Sequence, residues 1–315
     1  EKALMAPERI SKVVDYLLDH FDQKTMRANT YLRGGKALNG FNAIFAVQSI
    51  PMAKLYYKEI QKQLEEKQKD LKIATIFSFS PNEEDPQTGL IDESFNTDNL
   101  DKSSRDFLED AIGDYNQMLG TNFDTSSDKF ENYYKDLSRR VKNREVDLLI
   151  VVNMFLTGFD AVTLNTLWVD KNLRLHGLLQ AYSRTNRILN SVKTFGNIVC
   201  FRDLSKATDD AIALFGNREA GGIVLMKTFE EYYHTGYEVN GKHQPPYVEL
   251  IEKLKSEYPL GQPIIGEANQ KEFVRLFGSV LKLQNILRSF DEYAGQEVIT
   301  ERDQQDYQSC YIDLY

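Results

Sequence analysis

The chain has 315 residues, 42% of them hydrophobic and 27% charged, with a formal net charge of −9; this is ordinary globular composition, and at roughly 150 residues per domain the length predicts two domains. No apolar run reaches the ~18 residues that a membrane crossing needs, and Cys200 and Cys310 are too few for a disulfide framework or a four-cysteine zinc site, so the default compartment is a reducing, cytoplasmic one. The chain opens at Glu1 with neither an initiator Met nor a basic-then-apolar signal segment, which reads as a fragment or a processed piece. Its acidity is local. Residues 81–130 hold 13 Asp and Glu against Lys102, Arg105 and Lys129, so the rest of the chain is close to neutral. Composition gives a DNA-contacting face no support, although the charge elsewhere permits one.

Residues 7–22 have apolar side chains at helical spacing (Ile10, Val13, Val14, Leu17, Leu18, Phe21), with Pro7 suited to a first turn. Short apolar runs follow at 42–47, 72–77, 147–152, 166–169 and 197–201. They are β-branched or aromatic and mostly apolar throughout, as in a parallel sheet covered on both faces. Helical patterns at 51–67, 128–142 and 176–189 separate several of them. The alternation predicts an α/β layered domain over residues 1–205. Residues 79–127 interrupt it. They are acidic, rich in Asn, Asp and Ser, and carry Pro81 and Pro86; the expectation is an exposed insertion with one helix near 103–118, the plainer alternative a solvated loop. Beyond residue 205, helical patterns dominate at 208–215, 229–235, 247–258, 269–290 and 301–315, punctuated by Gly221-Gly222, Gly241 and Pro245-Pro246. Residues 206–315 therefore read as a second, mostly α-helical domain.

Several chemistries are missing. Gly34-Gly35-Lys36-Ala37 has the wrong length for a phosphate-cradling loop and lacks the hydroxyl after Lys. No dinucleotide fingerprint, nucleophile elbow or zinc-protease motif occurs, and the four histidines show no metal spacing, so no metal site is expected. Gln244-Pro245-Pro246-Tyr247 resembles an amino-methyltransferase motif but lacks the right first residue and a cofactor loop, which leaves a proline turn.

The informative stretch is 147–190. A buried strand runs into Thr157-Gly158-Phe159-Asp160, a second strand follows, and then a helical pattern carries Gln180, Arg184 and Arg187. At 100° per residue these three fall within an arc of about 60°, opposite the apolar side. Planar guanidiniums suit triphosphate oxygens, and two presented together fit an arginine-finger arrangement; the alternative is a surface helix with solvated arginines. A Gly beside a carboxylate just after a buried strand sits where open α/β sheets bind ligands; the alternative is an Asp-capped turn.

TGFDA followed by QAYSRTNR resembles motifs V and VI of superfamily 2 helicases and translocases, in their second RecA-like domain, and NAIFAVQS resembles motif IV. The whole 147–204 block is similar to the motor (R) subunit of type I restriction enzymes. That resemblance implies ATP-driven translocation on double-stranded DNA, coupled to double-strand cleavage, in a complex with modification (methyltransferase) and specificity subunits. It implies ATP and Mg2+ as cofactors, sited mainly in a first RecA-like domain that this sequence does not contain. Arg187 resembles the arginine finger and Arg184 its γ-phosphate-contacting partner; Gln180, Gly158 and Asp160 match nucleotide-interface positions. Thr157, Gln48 and Ser49 match positions that contact the DNA backbone, with Arg139 and Arg140 as weaker DNA candidates. Val162 departs from the Pro of many relatives, and Ser183 and Asn186 stand where the generic motif has Gly. Two alternatives remain: a helicase-like domain acting only as a protein-interaction scaffold, and another superfamily 2 helicase.

Overall fold

The computed structural model describes residues 3–77, 100–156, 158–189, 192–193, 195–215, 227–239, 242–288 and 290–314. They divide into two compact units, Glu1–Gly222 and Ile223–Tyr315.

The first unit opens with α1 (Pro7–Lys24), whose Ile10, Val13, Val14, Leu17, Leu18 and Phe21 are all buried. A hairpin follows, β1 (Thr30–Arg33) and β2 (Lys36–Asn39), turned by Gly34 and Gly35, both at positive φ. Then come β3 (Asn42–Val47), α2 (Ile50–Glu66), β4 (Ile73–Ile76), α3 (Lys102–Leu119), α4 (Ser127–Lys142), β5 (Leu148–Val151), β6 (Leu164–Asp170), α5 (Leu175–Ser183), β7 (Asn197–Cys200) and α6 (Ser205–Phe215). The sheet runs β4-β5-β3-β6-β7 with every described pairing parallel. All residues of β3, β4, β5 and β6 are buried, so both faces are covered. The α/β expectation and the five strand positions are met. The chain leaves β3 towards β4 and leaves β6 towards β7, in opposite directions. The topological switch point therefore lies between β3 and β6, the place where such sheets bind ligands.

Local signals explain the helix ends. The Ser49 side chain accepts from the Met52 amide and caps α2. Asp101 caps α3 through the Ser104 amide at 3.0 Å, and Gly120, at φ +67°, ends it.

Three findings differ from the sequence reading. First, the acidic stretch is not merely an exposed insertion. Residues 78–99 lie outside the described residues, but α3 buries Phe107, Leu108, Ala111, Ile112 and Tyr115 in the main core. Second, the division falls near residue 222 and not near 205. α6 packs on α5 and places Ala211 in the core. Third, the helix expected over 176–189 ends at Ser183, for a reason given below.

Tyrosines stitch the α-helical layer to acidic partners and to the sheet. Tyr57 donates to Asp114 at 2.9 Å, Tyr115 to Asp136 at 2.7 Å and Tyr133 to the Thr75 carbonyl at 2.8 Å. Burial is the main cause that pushes all three phenols well above the usual tyrosine range, and the Asp114 and Asp136 carboxylates add to it.

The second unit, described by itself, is mostly helical as expected. A short wide-turn helix at Glu231–Thr235 leads to the hairpin of β8 (Tyr237–Val239) and β9 (Lys242–Gln244), then α7 (Tyr247–Glu257), α8 (Glu267–Leu287), a single turn at Asp291–Tyr293 and α9 (Glu301–Leu314). The core is aromatic. Phe273 stacks on Phe277 at 5.9 Å between ring centroids, and Tyr307 donates to the Tyr258 carbonyl at 2.9 Å. No helix among the described residues is long and apolar enough to cross a membrane.

Candidate functional site

The connection from β5 to β6 crosses over β3 and carries the Gly-Phe-Asp segment. Phe159 is its anchor. The ring is buried, packs against Phe155 at 4.6 Å between centroids and lies under the Lys142 ammonium at 5.3 Å. Gly158 and Asp160, on either side of it, are exposed. Gly158 has φ +65° with open space around its Cα, so a side chain there would be resisted by backbone conformation and not by crowding. Thr157 lies outside the described residues.

The end of α5 meets this segment. Arg184, the last helical turn's cap, donates through Nη1 to the Phe159 carbonyl, through Nε to the Gln180 carbonyl at 3.0 Å and through Nη2 to Ser183 Oγ at 3.1 Å. It is a strut between two segments. Arg187 lies beyond the helix. Its Nε donates to Asp160 Oδ1 at 2.9 Å and its Nη2 lies 2.9 Å from Oδ2, a bidentate pair. Both side chains are open to solvent, 60% for Arg187 and 53% for Asp160. Gln180 is half-buried, and among the described residues its Oε1 is buried without a hydrogen-bond partner. Gln180, Arg184, Arg187 and Asp160 are thus brought together with Gly158 alongside, although not on one helical face as the periodicity implied.

The helix first tightens, the Arg184, Thr185 and Asn186 amides donating to the carbonyls three residues back, and it is then kept from resuming by a diverted hydrogen bond. In a continuing helix the Leu189 amide would donate to the Thr185 carbonyl. Instead Leu189 donates to the Lys193 carbonyl at 2.9 Å and accepts from the Lys193 amide at 3.1 Å. The Lys193 ammonium takes the Thr185 carbonyl at 2.8 Å. Gly196 backs the same spot, where an added Cβ would overlap the Thr185 side chain and carbonyl oxygen. Neither Lys193 nor Gly196 is visible to motif or periodicity; a Gly directly before a strand is the one faint signal.

Gln48 and Ser49 sit elsewhere, at the carboxyl end of β3 beside the switch point. Gln48 Oε1 accepts from the Asn172 amide at 2.9 Å, tying the β3 and β6 ends together, and Ser49 serves as the α2 cap. Next to them is a cluster that the sequence reading missed. Asp170 ends β6 fully buried and accepts from Arg9 at 2.7 and 2.8 Å, Tyr56 at 2.5 Å and Arg202 at 2.8 Å. Burial alone would push this carboxyl up; the hydrogen bonds from Arg9, Tyr56 and Arg202 outweigh it and hold Asp170 below the usual carboxylate range. Arg139 and Arg140 lie at the end of α4. The carbonyl of the next residue, Val141, accepts from Asn42 at the start of β3, so they flank the opposite edge of the sheet from Gln48 and Ser49. Arg140 is mostly buried and held by Asp136 at 2.7 Å and Glu145 at 2.7 Å; Arg139, more exposed, also pairs with Asp136.

The described residues thus comprise a parallel α/β domain, with an arginine segment docked on a Gly-Phe-Asp crossover, and a mostly helical unit. Residues 39–203 match the family described as type I restriction enzyme subunit R domain 3, and residues 224–315 match the C-terminal region of subunit R of type I restriction and modification enzymes. The chain belongs to the type I restriction enzyme R subunit family. Over its whole length it is 34% identical to the endonuclease subunit of type I restriction enzyme SauCOLORF180P of Staphylococcus aureus (strain COL) and 36% identical to that of SsaAORF53P of Staphylococcus saprophyticus, covering 31% of each. A putative type I restriction endonuclease subunit, N-terminal part, of Mycoplasma pneumoniae is 40% identical over 44% of this chain and 36% of its own. The chain thus spans about a third of the length of the curated relatives it matches. Among solved structures, domain 2 of the DEAD-box helicase Mss116p, bound to an RNA duplex, aligns over 98% of this chain and 82% of its own, with 14% identity and a TM-score of 0.33, too low to carry weight.

Proposed function

We propose that residues of this chain form the second RecA-like motor domain and the start of the helical domain of a type I restriction R subunit. That cytoplasmic subunit is an ATP-dependent translocase on double-stranded DNA, coupled to double-strand cleavage and assembled with modification and specificity subunits. The observation that carries the reading is the coupling of Arg187 to Asp160 and of Arg184 to Phe159, which makes one unit of the two segments that match the motor motifs.

The residues fit a nucleotide. Arg187 offers a planar fork on an exposed surface, and its present acceptor is an exposed carboxylate. Such pairs are worth less than about 1 kcal/mol, so the guanidinium can exchange Asp160 for phosphate oxygens at small cost. ATP with Mg2+, held mainly by a first motor domain, would supply the energy-yielding bond and the negative charge that Arg187 answers. Arg184 does not face outward in the same way. It locks the Phe159 main chain to α5 and so keeps Asp160 and Arg187 in register. Among the described residues Gln180 Oε1 is buried without a partner, which supports a role at an interface completed from outside the domain. Gln48 and Ser49 supply neutral groups at the sheet's carboxyl edge, suited to positioning a phosphate backbone without reading bases.

The test is displacement of a third strand from duplex DNA by the full-length subunit with its modification and specificity partners. ATP-dependent displacement is expected. An assembled, DNA-bound complex that hydrolyses no ATP and displaces nothing would overturn the motor reading in favour of a scaffold.

A further inference from the structure

Lys193 is fully buried, yet it belongs to the residue type that is most at home in water. Its ammonium donates to two main-chain carbonyls, those of Thr185 at 2.8 Å and of Arg187. The backbone of Lys193 is bridged to Leu189, so the lysine is fixed at both its root and its tip. Burial pushes its pKa down to about 7. A folded-state value below the ordinary one means that this group favours the fold in full only above the ordinary lysine pKa, and that the contribution is lost as pH falls towards 7. At neutral pH the buried amine therefore weighs against folding. An apolar side chain of similar volume would suit the core better. What the amine does, and an apolar chain cannot, is hold two specified carbonyl oxygens.

Those oxygens belong to the segment that carries Arg187. We propose that Lys193 is the positioning residue for Arg187: by clamping the Thr185 and Arg187 carbonyls it keeps the chain from resuming the α5 helix and sets where the Arg187 guanidinium emerges, beside Asp160. The inference rests on the reading of Arg187 as the nucleotide-facing arginine. Without the ammonium, the Thr185 and Arg187 carbonyls lose that donor, and only the main-chain bridge between Leu189 and Lys193 stands against the helical bond from the Leu189 amide to the Thr185 carbonyl. Arg187 would then move onto the α5 surface, in line with Gln180 and Arg184 and away from Asp160. Gly196 lies close against Thr185, where an added Cβ would overlap its side chain and carbonyl oxygen, so the segment has little room there. A shift of about 1 Å at a reacting centre is enough to cost roughly 10²-fold in rate.

The experiment is a double-mutant cycle in the full-length subunit within its assembled complex, read as DNA-stimulated ATP hydrolysis well below the unfolding temperature. Lys193→Met, which keeps the volume and removes the donors, is expected to lower kcat by about 10- to 100-fold with the KM for ATP little changed. The Lys193→Met/Arg187→Ala double variant is expected to be no slower than Arg187→Ala alone, since a residue acting only through Arg187 has nothing left to position. If Lys193→Met does not fold, Lys193→Gln, which keeps amide donors on a shorter stem, carries the same cycle. An unchanged kcat in folded Lys193→Met, or losses that multiply in the double variant, overturns the positioning role while a slow Arg187→Ala still upholds the motor reading. A normal kcat for Arg187→Ala overturns both.

Discussion

Asp160 receives both Nε and Nη2 of Arg187, at 2.9 Å each, across 27 residues of chain that include a whole strand and a helix. The pair joins the crossover segment to the arginine segment at a point where both are exposed. It is strong in geometry and weak in energy, which suits a contact that has to be exchanged for another.

Arg187→Ala in the full-length subunit should therefore leave folding almost untouched, with a change in stability within about 0.5 kcal/mol. ATP binding should persist, because most of its contacts would come from the first motor domain. DNA-stimulated hydrolysis should drop by at least ~10²-fold, and cleavage that depends on translocation should disappear with it. Arg187→Lys should be nearly as slow, since a point charge cannot reproduce the fork. Steady-state ATPase with thermal unfolding as the control decides this; normal turnover in a normally folded protein would reduce the segment to packing.

Gly196→Ala should be destabilising by about 1–3 kcal/mol, because the new methyl meets the Thr185 carbonyl as well as its side chain, and main chain cannot rotate away. Urea unfolding of the chain would measure it. A stability equal to wild type would show that the 185–196 approach is looser than the packing indicates.

The Asp170 cluster predicts an acid limb to stability. Its folded pKa is held below the ordinary value near 3.9, so its contribution is complete above that value and is lost as pH falls through the lower folded one. Asp170→Ala leaves Arg9 and Arg202 facing each other without an anion and should cost about 3–5 kcal/mol at neutral pH. Unfolding midpoints at pH 7 and in the acid range test both statements; a flat wild-type profile through the acid range would contradict the first.

The 315-residue chain by itself should hydrolyse no ATP, since its sequence has no phosphate-cradling loop and an arginine finger acts only on a bound nucleotide. Turnover by the pure chain, stimulated by duplex DNA, would refute this.

Much of the fold was legible in the residues. β3 lies at its expected bounds and β4 and β5 within a residue of theirs, because strands buried on both faces write their position as unbroken apolar runs; β7, a partly exposed edge strand, is also within a residue of its apolar run. The β1–β2 hairpin was missed. Its strands are short and half-exposed, and Gly34-Gly35, which turns it, also resembles part of a phosphate loop in one dimension. The early end of α5 was illegible for a different reason. Ile188 and Leu189 prolong the helical spacing, whereas the groups that keep the helix from resuming, the Lys193 carbonyl and ammonium, lie downstream and act through space. The site residues were read as segments, but their pairing was not. Nothing in a one-dimensional pattern says that Arg184 supports main chain while Arg187 reaches a carboxylate, or that Arg140 is held between Asp136 and Glu145.

The tyrosines that link α2, α3 and α4 make the first unit its own optical reporter. A phenol that ionises gains ultraviolet absorbance, and Tyr57, Tyr115 and Tyr133 resist ionisation as long as they stay buried. The stability they contribute is complete below the ordinary phenol pKa of about 10 and erodes as pH rises from there towards their folded values. In an alkaline titration, solvent-facing phenols should respond first and reversibly. The buried ones should appear late, together and with hysteresis, when the helices carrying them come off the sheet, so a single absorbance trace would separate surface chemistry from collapse of the α/β core without any added dye.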